Sequence, residues 1–151
     1  MRRAGTRALI LGVTCAVLAA PLSAGQLDPK AISITLPANI KWVADPGGIE
    51  RATLYGDPSK AEPYAQFVKW KAGNMSRPHF HQNDRYIVVI SGTWWVGTGD
   101  RFDPASTVPV PAGSYVVHTA RGIHYDGAKE GDTVLMIHGM GPATSTPAER
   151  P

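Results

Sequence analysis

Two histidines separated by one residue, His79 and His81, are the residues whose types and spacing best suit chemistry. They precede an alternating apolar run at 86–90, which is typical of a β-strand. Side chains at positions i and i+2 of a strand leave the same face, so one extended segment can direct both imidazoles at one point. Such a pair suits a divalent metal. The alternative is that both rings only form hydrogen bonds with neighbours or solvent.

The remaining histidines strengthen the first interpretation. All five lie in the second half of the chain, in or beside predicted strands, at positions 79, 81, 118, 124 and 138. A metal site inside a barrel needs this clustering, because its ligands come from several neighbouring strands.

The N-terminus has the composition of an export signal. Arginines at positions 2, 3 and 7 precede an almost unbroken apolar run at 8–20, and small residues follow Pro21. This pattern predicts a cleaved signal peptide at 1–24 and a periplasmic or secreted protein. The alternative is a retained membrane anchor, but the apolar run is shorter than the roughly 20 residues that a spanning helix needs. We therefore expect no membrane association after cleavage.

Signal cleavage changes the charge balance of the protein. The full sequence has 15 Lys and Arg against 12 Asp and Glu. The predicted signal contains three of the arginines and no acid, so the two totals become equal without it. A near-neutral domain argues against nucleic-acid binding, which requires a basic surface. The single cysteine, Cys15, also lies in the signal, which leaves neither a disulfide nor a thiol nucleophile.

The rest of the chain predicts a single all-β domain. Short strands alternate with Gly- and Pro-rich turns, and no stretch shows a sustained helical period, which indicates a sandwich or a closed antiparallel barrel. We expect an N-terminal arm with the first strands at 25–49, a barrel at 50–140 and a flexible tail at 141–151. The predicted strands are 31–36, 40–44, 50–55, 64–70, 79–81, 85–91, 93–97, 108–111, 114–119 and 133–138.

The histidine pair belongs to a longer spacing pattern. Five residues separate Gly73 from His79-x-His81, and six residues separate position 85 from Gly92. This pattern resembles the first motif of the cupins at every position except one: the cupin glutamate is replaced by Arg85.

A second, weaker pattern follows. Gly113 stands eleven residues before His124, as in the second cupin motif, but Thr119 and Arg121 replace its proline and second glycine, and Ala128 replaces its asparagine. The chain therefore resembles a small single-domain cupin over roughly residues 50 to 140, by the reach of the strand pattern. The resemblance implies a jelly-roll-like antiparallel β-barrel. Homodimers are common among such sheets, and a dimer would bury an edge and the outward residues of 86–90.

The resemblance also implies a ligand set. His79, His81 and His124 would bind a divalent transition metal such as Fe, Mn, Zn, Ni or Cu. Three neutral imidazoles with open coordination positions are a known catalytic arrangement.

Arg85 cannot replace the missing glutamate ligand, because guanidinium is a permanent cation without a lone pair to offer. We expect it to act as a catalytic residue that clamps a substrate carboxylate bound at the metal. The alternative is a surface arginine whose stem covers the barrel rim. Candidates for a fourth ligand are His118, Asp84 and His138, although a core or hydrogen-bonding role is favoured for both histidines.

Several neighbouring residues have open roles. Asp126 is interpreted as a turn residue before Gly127, with a general base beside His124 as the alternative. Trp94 and Trp95 point to opposite faces, so that one fills the barrel and the other makes a subunit contact. The tyrosines at 86, 115 and 125 either line a pocket or, as is more common for aromatic strand residues, pack.

Three functions remain open at this stage. The first is a metal-dependent enzyme of the oxygenase, isomerase or decarboxylase type that acts on a small organic acid or phenolic substrate. The second is a non-catalytic module that binds or senses a small ligand or a metal. The third is a metal-free structural cupin. Fold class does not decide between them.

Overall fold

The computed structural model describes residue 25 and residues 27–151. The predicted signal peptide at 1–24 lies outside the described residues. The chain divides into two units, Met1–Ile34 and Thr35–Pro151. In the described part of the first unit, the Asp28 carbonyl accepts hydrogen bonds from the Ala31 and Ile32 amides in a turn. No helix within residues 25 and 27–151 is long and apolar enough to cross a bilayer.

The second unit is built from strands. Two short 3₁₀ turns, Pro37–Asn39 and Pro104–Ser106, are the helical elements of the described chain. The strands are β1 (Val43–Asp45), β2 (Ile49–Tyr55), β3 (Pro63–Trp70), β4 (His79–Phe80), β5 (Arg85–Ser91), β6 (Thr93–Thr98), β7 (Val108–Pro111), β8 (Tyr115–His118), β9 (His124–Gly127), β10 (Thr133–Met140) and β11 (Thr146–Pro147).

The strands form two antiparallel sheets. The larger has the order β1-β2-β3-β10-β5-β8, and the smaller has the order β11-β4-β9-β6-β7. A tight turn at Gly92, whose φ is +78°, carries the chain from β5 in one sheet to β6 in the other. A Cβ at this position would lie 2.4 Å from the Asp132 carbonyl oxygen, so the turn requires glycine. The predicted all-β, jelly-roll-like antiparallel barrel is confirmed.

The core lies between the two sheets. Alternate residues of β3, β5 and β10 point inward and are buried, as the period of two in their sequences predicts. The large sheet contributes Tyr64, Val68, Trp70, Ile87, Val89, Leu135 and Ile137, and these pack against Trp94 and Ala128.

The strand predictions fail in two places. Residues 31–36 form no strand, because no described segment pairs with them and their apolar side chains are exposed. Conversely, β9 is a strand where the sequence suggested a turn, because Asp126 and Gly127 are ladder residues paired with β6.

The C-terminal segment also differs from the expected flexible tail at 141–151. β11 pairs with β4, the Ala143 side chain packs against the core, and the Ala143 amide donates to the Pro58 carbonyl at 2.7 Å. The strands of the two sheets therefore extend from 43 to 147, beyond the predicted barrel bounds of 50–140.

Candidate metal centre

Strand pairing in the smaller sheet brings the histidines of the two sequence motifs together. His79 on β4 is the direct antiparallel partner of His124 on β9. Directly opposed residues of an antiparallel pair have Cβ atoms roughly 5 Å apart. His81 follows two residues after His79 and lies on the same side. The separation of 45 residues in sequence is thus closed by one strand pair.

The three rings form a compact cluster. Their ligand nitrogens all lie within 4.8 Å of one another. The His79 ring centroid is 4.5 Å from that of His124 and 4.8 Å from that of His81. The His81 and His124 centroids are 4.9 Å apart. From this spacing the three imidazoles can converge on a single ion.

Backbone carbonyls determine the tautomer of each ring. Nδ1 of His79 lies 2.8 Å from the Arg77 carbonyl oxygen, Nδ1 of His81 lies 2.8 Å from that of Thr144, and Nδ1 of His124 lies 2.9 Å from that of Gly122. A carbonyl only accepts, so each Nδ1 carries the proton and each Nε2 has a free lone pair. Metal-binding histidines are oriented by the same kind of second hydrogen bond.

Burial keeps these rings neutral. His81 and His124 are each 4% exposed. Burial, with the nearby Arg85 cation, lowers the pKa of His81 to about 3. Burial likewise lowers the pKa of His124, although the Asp126 carboxylate opposes this shift. A neutral imidazole is the form that binds metal, so the environment favours ligation.

A fourth histidine and a carboxylate lie next to His124. Ligand atoms of His118, His124 and Asp126 form a second group within 4.8 Å of one another. The His118 and His124 ring centroids are 3.8 Å apart, and burial, aided by the neighbouring His124, lowers the pKa of His118 to about 2. The turn interpretation of Asp126 is wrong, because its side chain is buried on the same face of β9 as His124.

Arg85 is buried beside this cluster. It is 9% exposed, and its Nη2 donates to the Thr144 carbonyl at 3.0 Å. The same carbonyl accepts from His81, so the C-terminal segment holds both side chains. Arg85 is also the cross-strand partner of His118. The alternative of an exposed rim arginine is therefore wrong.

These residues line a cavity of ≈ 650 Å³ inside the barrel. His79, His81, His118, Arg85 and Asp126 contribute to its polar wall, together with Asp45, Arg51, Gln66, Ser76 and Arg77. The remaining wall is largely apolar and includes Ile49, Val68, Trp70, Ile87, Trp94, Leu135 and Ile137. An apolar cavity with a few converging polar groups is the usual form of a small-molecule site.

The other candidates lie elsewhere. Asp84 Oδ1 accepts from the Ala120 amide at 2.7 Å, and His138 stacks on Tyr86 on the outer face of the large sheet. Neither belongs to the groups of potential ligands found in the described residues.

The aromatic candidates pack rather than line the cavity, with one exception. Tyr125 is buried and its hydroxyl lies 2.9 Å from Ser106 Oγ, whereas Tyr115 is exposed. Trp94 fills the barrel and borders the cavity, and Trp95 lies half-buried under the Lys129 ammonium on the opposite face.

Arg121, in the loop before His124, stands where the second cupin motif has a glycine. Arg121 has φ = 64°, the left-handed conformation that glycine adopts easily, and its amide donates to the His81 carbonyl at 2.7 Å. An L-residue in this conformation costs about 1–2 kcal/mol. The loop between the motif histidines is thereby fixed despite the replacement.

Sequence reasoning underestimated Asp126 and His118. The available signal for Asp126 was its i+2 spacing from His124, the same spacing that marks His79 and His81. His118 had no comparable local signal, because its place depends on the register that sets it opposite Arg85.

Comparison with known proteins places this geometry in a family. A family model described as the ChrR cupin-like domain matches residues 31–144. No curated protein matches the sequence.

Solved structures share the fold at low identity. The polyketide cyclase RemF from Streptomyces resistomycificus is 15% identical with a TM-score of 0.65, over 80% of this chain and 87% of that one. KdgF from Halomonas sp. is 21% identical with a TM-score of 0.58, over 72% and 95%. A complex of Rhodobacter sphaeroides SigE with the anti-sigma ChrR gives 18% identity and a TM-score of 0.54, over 69% and 50%.

Proposed function

We propose that this chain, which belongs to the ChrR cupin-like domain family, is a metal-dependent enzyme that acts on a small organic acid or phenolic compound. The observation that carries the proposal is the cluster of His79, His81 and His124, whose ligand nitrogens lie within 4.8 Å of one another, with His79 and His81 on the wall of a cavity. Each ring is held in the metal-binding tautomer by a backbone carbonyl. The donor set therefore fits a divalent transition metal.

A bound metal would supply Lewis-acid or, for Fe and Cu, redox chemistry. The chain itself would bind and orient the substrate. Arg85 places a buried cation on the cavity wall, where a guanidinium can accept a carboxylate through two parallel hydrogen bonds. The apolar wall formed by residues such as Trp70 and Leu135 would hold the carbon skeleton of the substrate and exclude water.

A second candidate is a non-catalytic sensing module. The family match to a ChrR cupin-like domain favours it, as does the fold shared with a complex that contains an anti-sigma protein. In a sensor, the metal or a small ligand would change the conformation of the domain, and Arg85 would not be needed for chemistry.

Export and dimer formation belong to the same proposal. The N-terminal sequence supports cleavage of residues 1–24 and a periplasmic or secreted location. The outer face of the large sheet exposes Ile90, Tyr115 and Val117, which a second copy of the chain would cover.

Binding of a simple aromatic acid distinguishes the enzyme from the sensor. We expect the metal-loaded protein to bind benzoate, and Arg85→Ala to weaken binding about 10- to 100-fold, the range for loss of a charged hydrogen bond. Isothermal titration calorimetry measures both, with replacement of the exposed Arg101 by alanine as the matched control. Equal benzoate affinity in wild type and Arg85→Ala, with the metal retained, would favour the sensing module.

A further inference from the structure

We infer that Asp126 on β9 supplies the carboxylate ligand of the metal, in place of the glutamate that Arg85 has replaced on β5. This inference rests on the proposed function, because it assigns a ligand to the same metal site. The cupin resemblance points to position 85 alone for a carboxylate. The assignment of Asp126 comes from the contacts of this chain.

The first observation is the burial of Asp126. It is 6% exposed, and it is the one acidic side chain among the buried residues of 25 and 27–151. Its Oδ1 receives a single long hydrogen bond, 3.4 Å, from Ser76 Oγ. Within those same residues its nearest ion-pair partner is Nε2 of His124, at 3.8 Å from Oδ2. Buried carboxylates are normally paired with a cation or bound to a metal.

The second observation is the set of atoms that face this carboxylate. Nε2 of His118 and Nε2 of His124 are buried and have no hydrogen-bond partner in the described chain. One ligand atom each of His118, His124 and Asp126 lie within 4.8 Å of one another, in a group that shares His124 with the three-histidine group. Nε2 of His124 has a free lone pair because its Nδ1 carries the proton, and this lone pair faces the Asp126 carboxylate at 3.8 Å. A lone pair and a carboxylate repel one another unless a cation lies between them, and one metal ion bound to His124 would satisfy both.

The third observation is the charge of the cavity. A dication with only neutral imidazole ligands would lie beside the buried Arg85 guanidinium, and like charges repel strongly away from water. Asp126 lines the same cavity. Its carboxylate offsets the excess positive charge, as the glutamate of the motif would do from β5.

The backbone holds Asp126 in position before any metal binds. The Asp126 amide donates to Ser76 Oγ at 2.9 Å, and the Ser76 amide donates to the Asp126 carbonyl at 2.7 Å. Ser76 precedes the His79 motif by three residues, so the carboxylate is fixed relative to β4 as well as β9. Replacement of Asp126 by Asn retains an oxygen acceptor for Ser76 and removes only the charge.

The test compares Asp126→Asn with wild type and with Asp84→Asn, whose carboxylate lies outside the cluster. Zn²⁺ affinity is measured by competition with a chromogenic chelator, and the visible spectrum is recorded with bound Co²⁺. We expect Asp126→Asn to weaken Zn²⁺ binding at least about 10-fold, the smallest loss typical when even a group that only orients a metal ligand is removed, and to change the Co²⁺ bands. Asp84→Asn should leave both unchanged.

Melting of the metal-free protein separates a ligand from a merely structural residue. If Asp126 is a ligand, Asp126→Asn should melt at the same temperature as wild type or higher without metal, because an unpaired buried charge is removed. With Zn²⁺ it should gain less stability than wild type.

A Co²⁺ spectrum of Asp126→Asn identical to that of wild type would overturn the inference and leave the three-histidine site intact. Absence of metal binding in wild type, or its persistence in His79→Ala/His124→Ala, would instead overturn the proposed function and the inference with it.

Discussion

Acidification should destabilise the metal-free protein through its buried histidines. Burial lowers the pKa of His81 to about 3 and that of His118 to about 2, whereas an unfolded histidine titrates near 6.5. Between these values the unfolded chain binds more protons than the folded one. The free energy of unfolding therefore rises with pH in this window. The contribution of these two histidines to stability is lost progressively as the pH falls below about 6.5.

The size of the effect follows from the proton difference. At pH 5 an unfolded histidine lies about 1.5 pH units below its pKa, which at 1.36 kcal/mol per unit corresponds to roughly 2 kcal/mol for each residue. His81 and His118 together lower the free energy of unfolding by about 4 kcal/mol between pH 7 and 5. Burial also lowers the pKa of His124, which adds to this loss, and raises the pKa of Asp126, which opposes it, so about 4 kcal/mol is the contribution of His81 and His118 alone.

Urea denaturation at pH 7, 6 and 5, with a chelator present to remove metal, measures this loss of unfolding free energy. We expect His118→Leu to lose about 2 kcal/mol less free energy of unfolding than wild type between pH 7 and 5, whatever its absolute stability at pH 7. An equal pH dependence in the variant and the wild type would show that His118 does not remain neutral in the folded protein. The reasoning about the cluster would then be wrong.

Two further predictions concern packing and the C-terminal segment. Gly97→Ala should destabilise the fold by about 1–3 kcal/mol, because its Cβ would lie 2.3 Å from Cζ of the buried Tyr125 ring. Thermal melting measures this loss, and Gly131→Ala, at a position with open space around it, should show no comparable loss. Truncation after Pro142 should weaken Zn²⁺ binding about 10- to 100-fold, because the Thr144 carbonyl that orients His81 is lost. Chelator competition measures the affinity, and an unchanged value would refute this role of the Thr144 carbonyl.

The sequence predicts the barrel because period-two patterning and turn residues are local signals. The runs that became β3, β5 and β10 alternate apolar and polar residues, and their inward faces form the core. β9 lacks such a pattern, since its four residues are all buried and include a histidine, an aspartate and a glycine. Its strand character comes from pairing with β4 and β6, which no local window contains.

The candidate site likewise contains some residues that local sequence predicts and others that only tertiary contacts place. His79, His81 and His124 follow from motif spacing, and the structure brings all three together. The place of Asp126 depends on tertiary contacts with Ser76, and that of His118 depends on the β5–β8 register. The C-terminal segment looked polar and unstructured in sequence, yet its Thr144 carbonyl orients two residues of the site. Because the acceptor is a backbone carbonyl, the type of residue that carries it does not reveal its role in the site.

The most direct test of the metal site is elemental analysis of the purified protein beside a His79→Ala/His124→Ala double variant. We expect close to one divalent transition metal ion per chain in wild type and almost none in the variant. Both samples should be passed through the same chelating step, so that loosely bound ions are removed. Equal trace amounts of metal in the two proteins would contradict the three-histidine site and leave a metal-free ligand binder.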